Sequence, residues 1–230
     1  MQYFGAYRFI FSHPKWPILL LIGAVCQLVP IVGPLVLMGY AYEVIEAQHR
    51  YGRDPFPMFD FDRLGPYIMR GLWPFLVSLV AAIPLLLLTV PFVLAFVFST
   101  IAAQQTGDPP ALPFALLIVG IPVFLVLIFA YQFVMSPMLL RAGLSQDFSS
   151  AFSMSFVRDF LSRVWMELLL SMLFMIITAP FVMLLGFLLL IVGVYAAAVV
   201  MLFAHYHFQY HLYELYLARG GTPIPLKDTP

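Results

Sequence analysis

The sequence predicts an all-α polytopic helical membrane protein, with about six membrane segments arranged as three hairpins and with amphipathic helices at the membrane interface. Of its 230 residues, 63% are hydrophobic and only 10% are charged, which leaves too few polar side chains to cover a water-soluble globule. Two stretches, residues 71–107 and 168–213, contain no Asp, Glu, Lys or Arg. Each exceeds the roughly 20 residues that one membrane span requires. We therefore expect these stretches to be surrounded by the lipid of a membrane.

All eleven Lys and Arg residues can lie on one side of a membrane if the apolar stretches form three hairpins. Basic residues concentrate on the cytoplasmic side of membrane proteins. We therefore expect a multi-pass protein of the cytoplasmic (inner) membrane, with both termini in the cytoplasm and the lipid bilayer as a partner. Eleven acidic residues balance the basic ones, and without a basic surface we expect no nucleic-acid partner.

We expect a single membrane domain over residues 1–230. Its expected parts are an interfacial N-terminal segment (1–15), a first hairpin (16–46), a cytoplasmic loop (47–70), a central hairpin (71–141), an interfacial helix (142–162), a terminal hairpin (163–218) and a tail (219–230).

The first hairpin is expected to be short or re-entrant. Its apolar run, residues 16–42, is divided by Pro30-Ile31-Val32-Gly33-Pro34, and proline disfavours helix at and before its own position. Each piece is then shorter than the roughly 20 residues of a span. The alternative is a single kinked span, which would place Arg8 and Lys15 on the opposite side from the basic residues of the following loop.

The central and terminal hairpins follow from the length of the uncharged stretches. The central hairpin is expected to contain one kinked or tilted helix over residues 72–103 and a returning helix over residues 111–140. In the terminal hairpin, Thr178-Ala179-Pro180 and Gly186 offer a break, which predicts arms over residues 163–179 and 186–216.

The interfacial helix is predicted from phenylalanines that recur every four residues, with Asp159 placed four residues before Arg163. The phenylalanines are Phe148, Phe152, Phe156 and Phe160. Such a helix lies either in the headgroup region or packed beneath the helical bundle.

One cluster could bind a metal ion. His207, His211 and Glu214 share one face of a helix at positions i, i+4 and i+7, and two imidazoles with one carboxylate suit Zn or Fe. The alternative is a belt of aromatic and histidine side chains where the last helix leaves the bilayer. We expect no catalytic residue and no other cofactor.

The membrane segments are expected to hold no charged side chain, and this weakens the case for a proton-coupled or ion-selective pathway. Their polar residues, among them Gln27, Ser171 and Thr178, can be satisfied by bonds between helices or to the backbone. Asp60 and Asp62 lie in a loop with interleaved phenylalanines, and we expect this loop to fold back onto the bundle rather than to hold a cation.

Short motifs give the chain a resemblance to a family. They are Val29-Pro30-Ile31-Val32, Gly39-Tyr40, the loop of residues 57–62, Gly71 and Ile83-Pro84. Through them the chain resembles an uncharacterised family of multi-span prokaryotic integral membrane proteins, known as a domain of unknown function. It is more distantly similar to the membrane region of glycerophosphodiester phosphodiesterases. The resemblance implies the six-segment architecture and no catalytic residue.

We expect a non-enzymatic integral membrane protein, a partner or scaffold subunit that contacts lipid and another membrane protein or a second copy of itself. A first alternative is a small transporter or lipid translocator, with a cavity near Pro84, Pro91 and Pro180. A second alternative is a metal-dependent membrane enzyme that uses the His207, His211 and Glu214 cluster.

Overall fold

The computed structural model describes residues 3–52, 56–107 and 109–227, and within these ranges the chain is helical without a β-strand. The helices are α1 (Tyr3–Phe11), α2 (Trp16–Leu28), α3 (Val32–Tyr51), a short 3₁₀ turn (Phe61–Arg63), α4 (Leu64–Thr106), α5 (Ala111–Ser145), α6 (Phe148–Ala151), α7 (Met154–Leu188) and α8 (Leu190–Ala218). Four helices of this described part, namely α4, α5, α7 and α8, are long and apolar enough to cross a membrane. The predicted all-α membrane fold is confirmed.

The helices α2 and α3 form the short first hairpin. The chain reverses at Val29-Pro30-Ile31, where Ile31 has a φ of 66°. The first turn of α3 requires glycine at position 33, since a β-carbon on Gly33 would overlap the carbonyl oxygen of Cys26 in α2. The 13 residues of α2 extend about 20 Å, less than the roughly 30 Å hydrocarbon core. Together with α1, from which it is bent by 95°, α2 could form one broken span.

The helices α4 and α5 form the central hairpin, as predicted, and α4 begins at Leu64 rather than at residue 72. Three prolines, Pro74, Pro84 and Pro91, lie inside α4 without ending it. The hairpin turns after Gly107, whose φ of 72° is the left-handed conformation that glycine adopts most easily.

The terminal hairpin turns at Leu189, so the predicted break between residues 178 and 186 is wrong. Pro180 lies inside α7. The reason is the close packing of two glycines on either side of the real turn. A β-carbon on Gly186 would lie 2.7 Å from the carbonyl oxygen of Gly193, so α7 and α8 are in backbone contact here and reverse direction tightly.

The single interfacial helix predicted over residues 142–162 is wrong, because this range contains the end of α5, the short α6 and the start of α7, with turns between them. A non-helical residue, Val164, then separates residues 154–163 from the apolar remainder of α7. Phe156 and Phe160 are buried against the ring of Tyr216, with ring centroids 5.7 and 5.0 Å apart. The expected Asp159–Arg163 ion pair is present at 2.9 Å. This face of the segment therefore packs beneath the bundle, and its position relative to a membrane stays a prediction.

Buried side chains are concentrated at one end of the molecule, which we call the base. It comprises the described parts of residues 35–77, 135–171 and 199–227, and its core holds fully buried tyrosines: Tyr40, Tyr42, Tyr67, Tyr213 and Tyr216. The side chains that pack α5 against α7, including Met138 and Val157, also lie there. From the base extend a central arm (residues 78–134) and a terminal arm (residues 172–198).

In the base, α3 and α4 cross with their backbones in direct contact. A β-carbon on Gly39 would overlap the carbonyl oxygen of Tyr67, and one on Gly71 would overlap that of Leu35. Small residues allow helices to approach this closely. The crossing aligns the C-terminal half of α3 with the start of α4, and it thereby brings together the charged side chains described next.

Candidate functional site

The structure separates the residues of the predicted metal cluster. His207 and His211 are in contact, with their Nε2 atoms 3.0 Å apart. Glu214 instead binds His49 of α3, with 2.6 Å between Oε1 and Nδ1. Within residues 3–52, 56–107 and 109–227, no group of three or more His, Cys, Asp or Glu side chains is placed to hold a metal ion. Metal binding by His207, His211 and Glu214 stays a prediction.

The two histidines are part of the packing between α1 and α8. The ring of His207 stacks on that of Phe9 with centroids 4.5 Å apart, and the ring of Tyr210 lies 5.2 Å from that of His211. This is the aromatic environment of the alternative interpretation, in which histidines and tyrosines form a belt along the last helix.

A buried arginine is the feature that sequence reasoning missed. Arg70 was expected to be the last residue of the cytoplasmic loop (47–70), but its side chain is only 1% exposed. Its guanidinium binds the carboxylate of Glu46, and it lies 4.0 Å from that of Glu43. The signal in the sequence was a pair of carboxylates three residues apart, on one face of a helix whose neighbouring residues are apolar.

Arg70 connects three parts of the base. Gln146 occupies the turn between α5 and α6 with a φ of 50°. With its side-chain amide oriented so that the oxygen faces Arg70, this oxygen accepts from Nε at 3.3 Å and from Nη2 at 3.0 Å. The buried guanidinium therefore holds α3, α4 and the α5–α6 turn together through hydrogen bonds and ion pairs.

A cleft of about 290 Å³ opens next to these buried charges. It is lined by Glu43, Glu46, Ala47, Arg50, Tyr51, Pro57 and Arg63. Arg63 Nη1 lies 2.6 Å from Glu43 Oε1, and Arg50 Nη2 lies 2.8 Å from Glu46 Oε1. We call this the charged cleft.

The basic and acidic side chains of the cleft differ in their exposure to solvent. The side chains of Arg50 and Arg63 are 35% and 37% exposed, whereas those of Glu46 and Glu43 are only 10% and 12% exposed. Burial raises the pKa of Glu43, and the nearby guanidinium groups of Arg63 and Arg70 act in the opposite direction. The guanidinium groups therefore form the mouth of the cleft and the carboxylates its floor.

The loop that closes one side of the cleft folds onto the base, as the sequence predicted. The Tyr40 hydroxyl donates to the carbonyl oxygen of Pro57 at 2.7 Å, and Phe59 is buried against the rings of Tyr40 and Tyr67. Asp60 Oδ1 accepts from the backbone N–H of Asp62 at 2.9 Å. This carboxylate thus caps the 3₁₀ turn.

A second concavity lies on the central arm. It is an apolar groove of about 210 Å³ between α4 and α5, lined by Thr89, Phe92, Val93, Ile121, Phe124 and Leu125. The cavity predicted for a translocator was to lie near Pro84, Pro91 and Pro180, and none of these prolines lines the groove. Transport stays a prediction.

Comparison with known proteins identifies a family and no individual relative. No match was found among the curated proteins or among the solved structures, and the more distant resemblance to the membrane region of glycerophosphodiester phosphodiesterases stays a prediction. A family model matches residues 22–206, a range that runs from α2 into α8 and includes the Gly39–Gly71 crossing, the charged cleft and the central arm. The chain therefore belongs to the family described as Protein of unknown function (DUF4013).

Proposed function

We propose that this protein is a non-enzymatic integral membrane protein, a scaffold or partner subunit whose two arms lie in the bilayer and whose base contacts another membrane protein. The observation that carries the proposal is the exposure of the central arm. In the described residues from 78 to 134, only Pro113 and Gly120 are buried. Apolar surface of this extent is stable when lipid or another protein covers it.

The dimensions of the central arm support its insertion. The exposed apolar part of α4, residues 78–103, extends about 39 Å at 1.5 Å per residue. A hydrocarbon core of about 30 Å accommodates such a helix when the helix tilts by about 40°, the upper end of the range observed for membrane helices. The base, which carries the charged groups, would then lie at one membrane surface, on the cytoplasmic side according to the distribution of Lys and Arg.

The base supports contact with a protein partner. Among the large apolar or aromatic side chains of the base that remain exposed are Tyr51, Met58, Phe61 and Met154. Tyr51 directly follows Arg50 in the chain, and Phe61 lies two residues before Arg63. Exposed aromatic side chains together with arginine are typical of the centre of protein interfaces.

The test is photo-crosslinking from three phenylalanines of nearly equal exposure, each replaced in turn by p-benzoylphenylalanine in the native membrane. They are Phe98 in the central arm (64% exposed), Phe187 at the tip of the terminal arm (65%) and Phe61 in the base (63%). We expect lipid adducts at Phe98 and Phe187, and a protein adduct of discrete mass at Phe61.

Because the three positions are matched in residue type and exposure, differences between them report location. An absence of lipid adducts at both arm positions would show that the arms are not embedded. Lipid adducts at the arms without a protein adduct at any position would contradict the scaffold role. They would support the insertion of the arms into the membrane and nothing further.

A further inference from the structure

We propose that the face of α8 that carries Tyr213 and Tyr216 is a docking site for an extended segment of a partner protein with the pattern Gly-x-Pro-apolar-Pro. The chain's own residues 219–227, which we call the tail strand, occupy this site and act as an internal ligand. The inference rests on the proposed function, because it names the kind of segment by which the partner of the base binds.

The first argument is the way in which the tyrosine hydroxyls bind the backbone of the tail strand. The N–H of Thr222 donates to the Tyr216 hydroxyl at 2.9 Å, and the N–H of Ile224 donates to the Tyr213 hydroxyl at 2.9 Å. A proline follows each of these donors, and proline has no N–H. In residues 222–225 the only backbone donors are therefore the two that the tyrosines accept. Proline-containing segments commonly dock on aromatic side chains in this way, because proline preorganises an extended backbone.

The second argument is the shape of the site, which selects the side chains of its occupant. A β-carbon on Gly221 would overlap the ring of Tyr216. Ile224 is only 4% exposed and belongs to the apolar core of the base, whereas the prolines on either side of it are exposed. The site therefore requires glycine where the segment crosses the tyrosine ring and an apolar side chain between the two prolines.

The acceptor at Tyr216 is held in place by α7 and not by the tail strand. The Tyr216 hydroxyl donates to Asp159 Oδ2 at 2.7 Å, so the oxygen of this hydroxyl is left to accept a hydrogen bond from the occupant. The rings of Phe156 and Phe160 pack against the ring of Tyr216. These contacts do not involve the tail strand, and they preorganise the site for another occupant.

A segment of the same kind is bound a second time in the base, after α3. The sequence Pro55-Phe56-Pro57 follows α3 as Pro223-Ile224-Pro225 follows α8. The hydroxyl of Tyr40 in α3 donates to the carbonyl oxygen of Pro57 at 2.7 Å, and the ring of Phe56 lies 5.8 Å from that of Phe203. Recognition of a Pro-apolar-Pro segment by tyrosines of the preceding helix is thus a repeated feature of the base.

The third argument is that few contacts hold the tail strand. Of residues 219–227, all of which the structure describes, only Ile224 is buried. The ion pair of Arg219 with Glu167 and the bond from Arg163 to the Arg219 carbonyl oxygen lie at its exposed start. Segments with few buried apolar contacts open at low cost. A partner segment with the same donors and the same apolar side chain can therefore replace the tail strand.

The test uses the full-length protein in a non-ionic detergent. Ile224→Asp places a charge at the buried position and releases the tail strand, and the probe is a fluorescent synthetic peptide of residues 219–230, followed by fluorescence polarisation. We expect the Ile224→Asp protein to bind the peptide at least about tenfold more tightly than wild type, in which the tethered tail strand competes at high effective concentration. Equal binding by the two proteins, or binding by neither, would overturn the proposal. If Ile224→Asp does not fold, Gly221→Val, whose side chain would overlap the Tyr216 ring, releases the tail strand instead.

Changes in the peptide locate the contacts without altering the fold of the protein. Thr222→Pro removes the N–H that donates to Tyr216 and is expected to weaken binding by about three- to tenfold. Ile224→Asp in the peptide removes the buried apolar side chain and is expected to weaken binding by at least about tenfold. Thr222→Ala changes an exposed side chain and keeps the N–H, so this control peptide is expected to bind like the unaltered one. Peptides that all bind alike would contradict the docking site.

Co-purification from the native membrane separates this inference from the proposed function. We expect the Ile224→Asp protein to retain more of its partner protein than wild type does. If the peptide binds but no partner co-purifies, the docking site stands and the scaffold role fails. A partner retained equally by wild type and Ile224→Asp would refute the inference alone, since that partner binds elsewhere. Wild-type dimers that Ile224→Asp abolishes would also refute it, because the occupant would then be the tail strand of a second copy.

Discussion

Replacing Arg70 with methionine is expected to lower the free energy of unfolding by about 3–5 kcal/mol, the usual cost of removing one partner from a buried ion pair. The substitution removes the buried guanidinium partner of the Glu46 carboxylate and leaves it only the partly exposed Arg50, and it removes the hydrogen bonds to Gln146. The measurement is thermal or denaturant unfolding of the purified protein in detergent.

Arg50→Met provides the matched control for Arg70→Met. Arg50 pairs with the same carboxylate of Glu46, but its side chain is 35% exposed, so its loss is expected to cost less than about 1 kcal/mol. If the two substitutions lowered the free energy of unfolding equally, the burial of Arg70 would not be the cause of its contribution to stability.

A compensating second substitution distinguishes the loss of an ion pair from a loss of packing. In Arg70→Met with Glu46→Gln, the buried carboxylate is replaced by a neutral amide of similar size. We expect this double variant to recover part of the stability lost in Arg70→Met, because a buried carboxylate that keeps only the partly exposed Arg50 as its partner costs more than a buried neutral polar group. A double variant less stable than Arg70→Met would contradict the electrostatic explanation.

The second large effect is expected for Gly71→Val, at the crossing of α3 and α4. The added β-carbon would overlap the carbonyl oxygen of Leu35, and a backbone atom cannot move away by changing rotamer. Overpacking typically costs 1–3 kcal/mol, and we expect a loss of about 3 kcal/mol or more, since a whole helix must shift. The expected observation is a marked fall in melting temperature or in the yield of monodisperse protein.

Gly65→Ala is the control for Gly71→Val on the same helix. A β-carbon at Gly65 has no neighbouring atom within 4 Å, and alanine favours helix over glycine by up to about 1 kcal/mol. We expect this variant to be as stable as wild type or slightly more stable. If Gly71→Val were equally harmless, α3 and α4 would not cross in backbone contact.

The helical membrane fold could be predicted from the sequence because the length of an uncharged stretch limits how the chain can cross a bilayer. The polar side chains of the apolar segments were predicted to bond to the backbone one turn away or to a neighbouring helix, and both kinds of bond are present. Thr178 Oγ1 donates to the carbonyl oxygen of Phe174 at 2.7 Å, and Gln27 Nε2 donates to that of Tyr195 at 3.1 Å. The turn of the last hairpin was mispredicted because Pro180 was read as a helix terminator, whereas close packing of Gly186 and Gly193 determines the turn.

The ionic contacts of the base could not be predicted, because they join residues far apart in the chain. Glu167 lies one turn after Arg163 in the sequence, but it binds Arg219 at 2.5 Å. Glu214 was grouped with His207 by helical periodicity and is bound to His49 of another helix. The burial of Arg70 likewise depends on the crossing of α3 and α4, which no pattern within a single helix reveals.

The proposed scaffold role is tested most directly by native mass spectrometry of the full-length protein after gentle extraction from its own membrane. Co-purifying proteins, lipids and metals are then recorded in one experiment. We predict a complex of defined stoichiometry with another membrane protein or a second copy. A single chain without a protein partner, whatever lipid or metal it carries, would contradict the role proposed here.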